Sequence, residues 1–320
     1  MKKLILIVSI LSFVLLISFC GSGTKVKFVE KENQIEVLMN GTLFTSYLFK
    51  PELTKPILFP VKTPSGIKVN RSFPFEKVEG ESEDHPHHTG IFFTYDEVNQ
   101  DGFWNNTTSP PQIKHVEVTK MATGKENGTL STTIHWVGKS GKTLLEENRT
   151  MVFSAGEGCY MIDFDMTLTA KDTAVVFHDT KEGMFAIRVA PWLKEKNKGG
   201  TAMYLSANGD ELEKNVWGKR STWVRLEGEK DGNAVGIAIH NHPTSNNYPT
   251  FWHARGYGLF AVNPLGQYAF ESRKKVENSQ KYELTLQQDE SATFKFRMII
   301  YEGSKTKADC EKDFDEYSKF

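Results

Sequence analysis

Apolar and polar residues alternate along most of this chain. In the segment 160–169, Ile162, Phe164, Met166 and Leu168 fall on one side, and Asp163, Asp165 and Thr167 on the other. A period of two marks a strand with one face in a core and one in water. The same alternation predicts strands at 25–30, 34–38, 41–49, 113–120, 130–137, 174–178, 184–189, 221–226, 234–240, 258–262, 282–286 and 292–301. They recur about every ten residues with Gly, Asn, Asp or Pro between them, the spacing of an antiparallel all-β protein. That many strands suit a large two-sheet sandwich better than a small barrel. Helical periodicity is confined to 305–317, read as a short C-terminal helix or tail. The segments 194–200 and 208–215 read as polar loops, and no linker or internal repeat divides the chain.

One stretch breaks the pattern. Residues 4–19 form an almost unbroken apolar run after Met1-Lys2-Lys3, and Cys20 with Gly21-Ser22-Gly23 follows. The run is short for a spanning helix, which takes roughly 20 apolar residues, and suits an export signal. A cysteine at its end resembles a bacterial lipoprotein signal, although Phe19 stands where a small residue is usual. The expectation is therefore a signal at 1–20, lipidation at Cys20, and a single sandwich domain at 21–320. The protein would be exported and anchored to a membrane by lipid alone, on the periplasmic or cell-surface side. The two remaining cysteines, Cys159 and Cys310, form no zinc pattern, and their pairing is left open.

Composition adds little except by exclusion. Of 320 residues 25% are charged and 39% hydrophobic, an ordinary globular balance. Thirty-nine basic residues against forty acidic ones give a net charge of −1, so no broad positive field exists to draw nucleic acid.

Histidine carries the chemical signal. Seven of the nine histidines lie in four segments, each at or just after a strand end: Asp84-His85-Pro86-His87-His88, His178 to Glu182, His240 to Pro243, and Trp252 to Tyr257. Loops on a rigid scaffold are where functional groups gather. His85 and His87, like His253 and Arg255, are two apart and would share a face if extended. Pro86 biases His85 toward extended backbone, and His88 is expected to face away. Candidate proton-transfer residues are His85, His178, Glu182 and His253, with Asp179 a further acid. Candidate substrate-binding residues are Asp84, His87, Trp104, Lys181, His242, Trp252 and Arg255. Aromatic rings beside polar groups suit a carbohydrate-like small molecule. His115 and His135, in alternating strands, read as structural or exposed. Neither a cupin spacing nor a His-Glu-x-x-His pattern is present, so no motif specifies a metal, and no cofactor is indicated.

The segments FPVKTPSGIKV, DHPHHTGIFFTYDEVNQDGFW, HDTKEGMFAIRV and HPTSNNYPTFWHARGYGLFAVNPLG resemble the bacterial PmoA-like proteins. The resemblance spans roughly residues 59–303. The family's name implies a methane oxygenase subunit, but that enzyme needs several spanning helices, and no comparable apolar run follows residue 20. What the resemblance implies instead is a link to carbohydrate metabolism, with no reaction to transfer. The expectation is an exported enzyme, a hydrolase, lyase or isomerase working by acid/base chemistry. The alternatives are a non-catalytic ligand-binding lipoprotein and a metal-binding protein of the same fold.

Overall fold

A computed structural model describes residues 25–320; the segment expected to be an export signal and Cys20 lie outside the described residues. In chain order, β1 (Val26–Lys31), β2 (Gln34–Met39), β3 (Thr42–Leu48), β4 (Ile57–Leu58) and β5 (Ile91–Tyr95) enter one sheet. Strands β6 (Gln112–Ala122), β7 (Asn127–Val137), β8 (Thr143–Gly156) and β9 (Cys159–Ala170) enter a second. There follow β10 (Val175–Phe177), β11 (Gly183–Arg188), β12 (Met203–Ser206), β13 (Trp223–Lys230), β14 (Asn233–Asn241), β15 (Phe251–Ala254), β16 (Leu259–Asn263), β17 (Leu284–Leu286) and β18 (Ser291–Glu302). The first sheet has eight strands in the order β1-β2-β3-β4-β5-β11-β16-β15, and the second eight in the order β12-β13-β14-β18-β9-β8-β7-β6. Strands β10 and β17 form a separate two-stranded ribbon. Adjacent strands pair antiparallel throughout, as in β9 against β18 and β5 against β11. The chain is thus a large two-sheet β-sandwich with a C-terminal helix, as its alternation predicts.

The core lies between the sheets. Phe185 of β11 stacks on Phe296 of β18 with centroids 5.1 Å apart, and Phe93 of β5 meets Phe294 at 6.0 Å. Strand β8 went unforeseen. Its inward positions are Leu145, Glu147, Arg149, Met151 and Phe153, so a charged pair interrupts the apolar face. Glu147 is fully buried; it accepts from Arg149 Nε at 2.6 Å and from Trp136 Nε1 at 2.9 Å. Strand β5 also escaped notice, because all five of its residues are buried and no alternation remains.

Among the described residues three short α-helices complete the fold: α1 (Glu213–Val216), overlapping a segment read as loop, α2 (Gln267–Glu271), and α3 (Lys307–Tyr317). The last begins at a reciprocal cap between Thr306 and Asp309. Among the described residues no helix is long and apolar enough to cross a membrane. Cys159 and Cys310 are both free and buried, Cys159 beside Tyr301 and Cys310 beside Trp223.

Candidate functional site

The outer face of the first sheet carries a row of side chains across its strands. Ile57, Phe92, Ala186, Ala261 and His253 are register partners on β4, β5, β11, β16 and β15. Two alanines in the middle let Trp104 and Tyr257 settle onto the sheet. Above this row is a cavity of 430 Å³ lined by His85, His87, His88, Trp104, Lys181, Glu182, His253, Arg255 and Tyr257, with Asp96 and Asn105. Strand ends of β11 and β15 and the loops on either side of β5 supply these residues.

The histidine loop is shaped by one arginine. Arg71 is buried, and its Nη1 donates to the carbonyls of Ser82 (3.0 Å) and Asp84 (2.7 Å) and to Asp84 Oδ1 (3.0 Å). Its Nη2 donates to the carbonyls of His85 (2.9 Å) and His88 (3.1 Å). The planar fork thereby fixes the whole turn. His85 is not extended: its φ is 46°, in the left-handed region where a non-glycine residue is uncommon. The His88 N–H closes the turn on the His85 carbonyl at 3.0 Å. The extended backbone expected before Pro86 is overridden by the Arg71 contacts, and His88 turns into the cavity rather than away from it.

Asp84 sits between two guanidinium groups. Its Oδ1 accepts from Arg71 and, at 2.8 Å, from Arg188 Nη2, while Oδ2 lies 2.6 Å from His85 Nδ1. Burial alone would raise its pKa, but hydrogen bonds to Ser82 and His85 and the charge of Arg188 hold this carboxyl well below the usual range. In the neutral tautomer that donates Nδ1–H to an ionised Asp84, the free lone pair is on His85 Nε2.

Four rings are then stacked nearly parallel. Tyr257 lies 5.5 Å from His85 at 9°, His85 lies 4.9 Å from His88 at 9°, and His88 lies 5.8 Å from Phe92 at 14°. Arg188 covers the Tyr257 ring at 4.7 Å, and Arg255 approaches it at 5.3 Å. Trp104 meets His88 edge-on at 5.2 Å.

The other imidazoles are neutral and unpartnered. Neither ring nitrogen of His88 or His253 has a hydrogen-bond partner, nor does His87 Nδ1. Burial first, then the charges of Lys181 and Arg255, push His253 down to about 3, against a weak contact from the Lys181 backbone. Burial and the charge of Lys55 push His87 down to about 3, and burial with the neighbouring His87 lowers His88 further. Asp96 is displaced the other way: burial and the adjacent Glu97 raise its pKa. Glu182 is ion-paired with Lys181.

The cavity has hollows on both flanks. One of 410 Å³ shares His87 and Asn105 with it and contains Lys55. Lys55 is buried; its amine contacts Asn106 Oδ1 at 3.1 Å and the Trp104 carbonyl at 3.4 Å, and burial lowers its pKa to about 7. The other, also 410 Å³, shares Lys181 and Arg255.

Of the residues expected at the site, His85, His87, Trp104, Lys181, Glu182, His253 and Arg255 line the cavity, and Asp84 braces His85 from behind. Three expectations are corrected. His178 follows β10 in the separate ribbon and pairs with Glu283 at 2.7 Å. His242 follows β14 in the second sheet, bonds Thr244 Oγ1 at 2.8 Å and packs against Tyr317 of α3. Trp252 points inward from β15, fully buried, with its indole donating to the Ser221 carbonyl at 3.0 Å. Asp179 likewise serves structure, accepting from the N–H groups of Tyr268 and Ala269 at the start of α2. Tyr257, from a segment singled out for its chemistry, also lines the cavity, and His88, Asp96 and Asn105 line it without having been assigned to it; Arg71 and Arg188 act from beneath. Their signal was the Asp84 carboxylate, which needed partners from beyond its own loop. Among the described residues no group of three or more His, Cys, Asp or Glu side chains is placed to hold a metal ion.

A family model described as "Family of unknown function (DUF6807)" matches residues 34–315. No curated protein sequence matches the chain. Among solved structures, a galactose mutarotase-like protein from Clostridium acetobutylicum is similar at 11% identity and a TM-score of 0.45, over 88% of this chain and 99% of that one. A GH36 alpha-galactosidase from Geobacillus stearothermophilus is similar at 11% identity and a TM-score of 0.43, over 86% of this chain and 40% of that one. Galactose 1-epimerase from Lactobacillus acidophilus is similar at 8% identity and a TM-score of 0.40, over 88% of this chain and 100% of that one. Likenesses this distant carry nothing about site residues or reaction.

Proposed function

The chain belongs to the DUF6807 family, whose description assigns no reaction, and from the geometry of its cavity we propose an enzyme that moves a proton on a carbohydrate-like small molecule. The observation that carries this is the Asp84–His85 pair: a carboxylate fixed by two arginines accepts a hydrogen bond from His85 Nδ1–H, which orients the ring and turns Nε2 to the work of a base on the cavity wall. Asp96, whose ionisation burial opposes, supplies a proton from another part of the same lining. His88 and His253 form part of the cavity lining as neutral imidazoles whose four nitrogens are buried without a hydrogen-bond partner, which keeps that side of the lining free of charge. Trp104 and Tyr257 offer apolar ring faces to the sugar's C–H surface. Arg255 would hold a developing oxyanion. Export and lipid attachment at Cys20 are part of the same proposal, supported by the apolar run before that cysteine. Replacing Cys20 with Ser should then move the protein from the membrane to the soluble fraction.

The test is incubation with a panel of sugars and sugar acids in heavy water, read by NMR for deuterium uptake or new product. A positive substrate should be turned over about 10²–10⁴-fold more slowly by H85N. Unchanged turnover in both H85N and D96N removes the proposal. The unpartnered neutral imidazoles also favour a second reading, a binding protein without turnover; saturable binding with no product from any panel member would select it.

A further inference from the structure

The hollow beyond Lys181 and Arg255 has a composition unlike the cavity it adjoins. Lys181, Lys196, Lys214, Arg255, Arg273 and Lys274 line it, and Glu213 is its one acid. They come from five separate places: the loop before β11, the segment between β11 and β12, α1, the turn after β15, and the chain just past α2. A solvated charged face would spread such residues or alternate them with acids. Here three are already matched. Lys196 lies 2.5 Å from Glu213 Oε2, Arg255 Nε lies 2.9 Å from Glu213 Oε1, and Lys181 pairs with Glu182. Lys214, Arg273 and Lys274 form no ion pair with any described residue. Lys274 instead donates to the Lys214 carbonyl at 2.9 Å and lies over the Trp217 ring at 5.6 Å. Arg273 donates to the Ala269 carbonyl at 2.7 Å. Trp217 also lines the hollow, and its indole N–H is buried and has no acceptor.

The cations also act on one another. Burial first, and then Arg273 and Arg255, lower the proton affinity of Lys181. Lys214, Arg273 and Lys274, held beside them without a compensating charge, lower the mutual repulsion by taking up an anion. The hollow borders the main cavity at the two side chains they share, Lys181 and Arg255. We infer that the substrate is itself anionic: it carries a carboxylate, sulfate or phosphate group that sits in this basic cleft, between the paired cations and the Trp217 N–H, while its hydroxyls occupy the histidine cavity. The inference deepens the reading of that cavity and rests on it only for where the rest of the ligand lies.

The experiment is a titration of the full chain in detergent, at ionic strength held constant with sodium chloride, followed through the indole N–H resonance of Trp217. Inorganic sulfate, inorganic phosphate and sodium acetate are separate arms, which distinguish a tetrahedral anion from a carboxylate. At least one arm should shift the resonance saturably, and the K214Q/K274Q variant should weaken its apparent Kd at least fivefold. R273Q should do the same, which guards against a misfolded double variant. H85N should leave the Kd within twofold of wild type, because His85 lines only the neighbouring cavity. Absence of a saturable shift in all three arms overturns the inference, as does an unchanged Kd in both K214Q/K274Q and R273Q. The readout needs no turnover. Failure of the proton-transfer reading with the anion site intact is therefore distinguishable from the reverse.

Discussion

A single guanidinium decides the shape of the histidine loop. Five acceptors in the segment from Ser82 to His88 converge on Arg71, and two of them lie on the residue that orients His85. A lysine there keeps the charge but offers a point in place of a fork. Arg71→Lys is therefore expected to lower stability by about 3 kcal/mol, since it leaves buried carbonyls without donors. Turnover or ligand affinity should fall with it, because His85 then loses its positive-φ turn. Urea titration and the sugar panel measure the two effects, and wild-type values in both would mean that the loop holds its shape without the fork. Asp84 adds a pH term of definite sign. Its pKa is depressed in the folded protein, so its contribution is complete above the unfolded carboxylate value of about 4 and is lost as pH falls below that.

Elements show where a sequence speaks and where it does not. Strand β9 was legible because Ile162, Phe164, Met166 and Leu168 all face the core with polar residues between them. Strand β8 obeys the same period, but Glu147 and Arg149 take two inward places, and in the sequence they read as a polar run. The candidate site divides in the same way. His85, Lys181, His253 and Arg255 could be grouped because each flanks a strand, and β5, β11 and β15 belong to one sheet with only β16 intervening. His178 and His242 flank strands just as clearly, yet β10 belongs to the ribbon and β14 to the second sheet. Strand pairing is a non-local property, and the local pattern does not encode it. The β8 pair also makes a prediction. In Glu147→Ala, Arg149 keeps its charge inside the sandwich, and the Trp136 indole loses its acceptor. Removing one member of a buried pair costs about 3–5 kcal/mol, visible as a lowered denaturant midpoint with an unchanged slope. A loss under about 1 kcal/mol would mean that the pair is not closed to water.

Over the whole molecule the charges nearly cancel, at −1, so neither folding nor ligand capture relies on a long-range field. Buried imidazole is the more consequential electrostatic feature. His253, under the cavity, and His240, between Trp223, Phe314 and Tyr317 on the second sheet, are both fully enclosed with no partner for either nitrogen. Burial is the main cause that pushes each down to about 3, aided by Lys181 and Arg255 at His253 and by Arg297 and Lys305 at His240. An unfolded histidine takes its proton near pH 6.5. Between pH 6.5 and about 3 the unfolded chain therefore binds more protons than the folded one, and stability falls as the solution is acidified. Above pH 6.5 these two residues make no pH-dependent contribution. Each contributes a slope of at most about 1.4 kcal/mol per pH unit within the window. Urea midpoints at pH 7.5, 6.0 and 5.0 should drop in that order. His240→Phe keeps a flat ring among aromatic neighbours and has nothing to protonate, so its slope should be shallower than wild type by about one histidine's share. It leaves the histidine cavity on the first sheet untouched, which separates an effect of acid on folding from an effect of acid on the site. A wild-type midpoint that does not move between pH 7.5 and 5.0, or a His240→Phe slope equal to that of wild type, would show that these rings reach water.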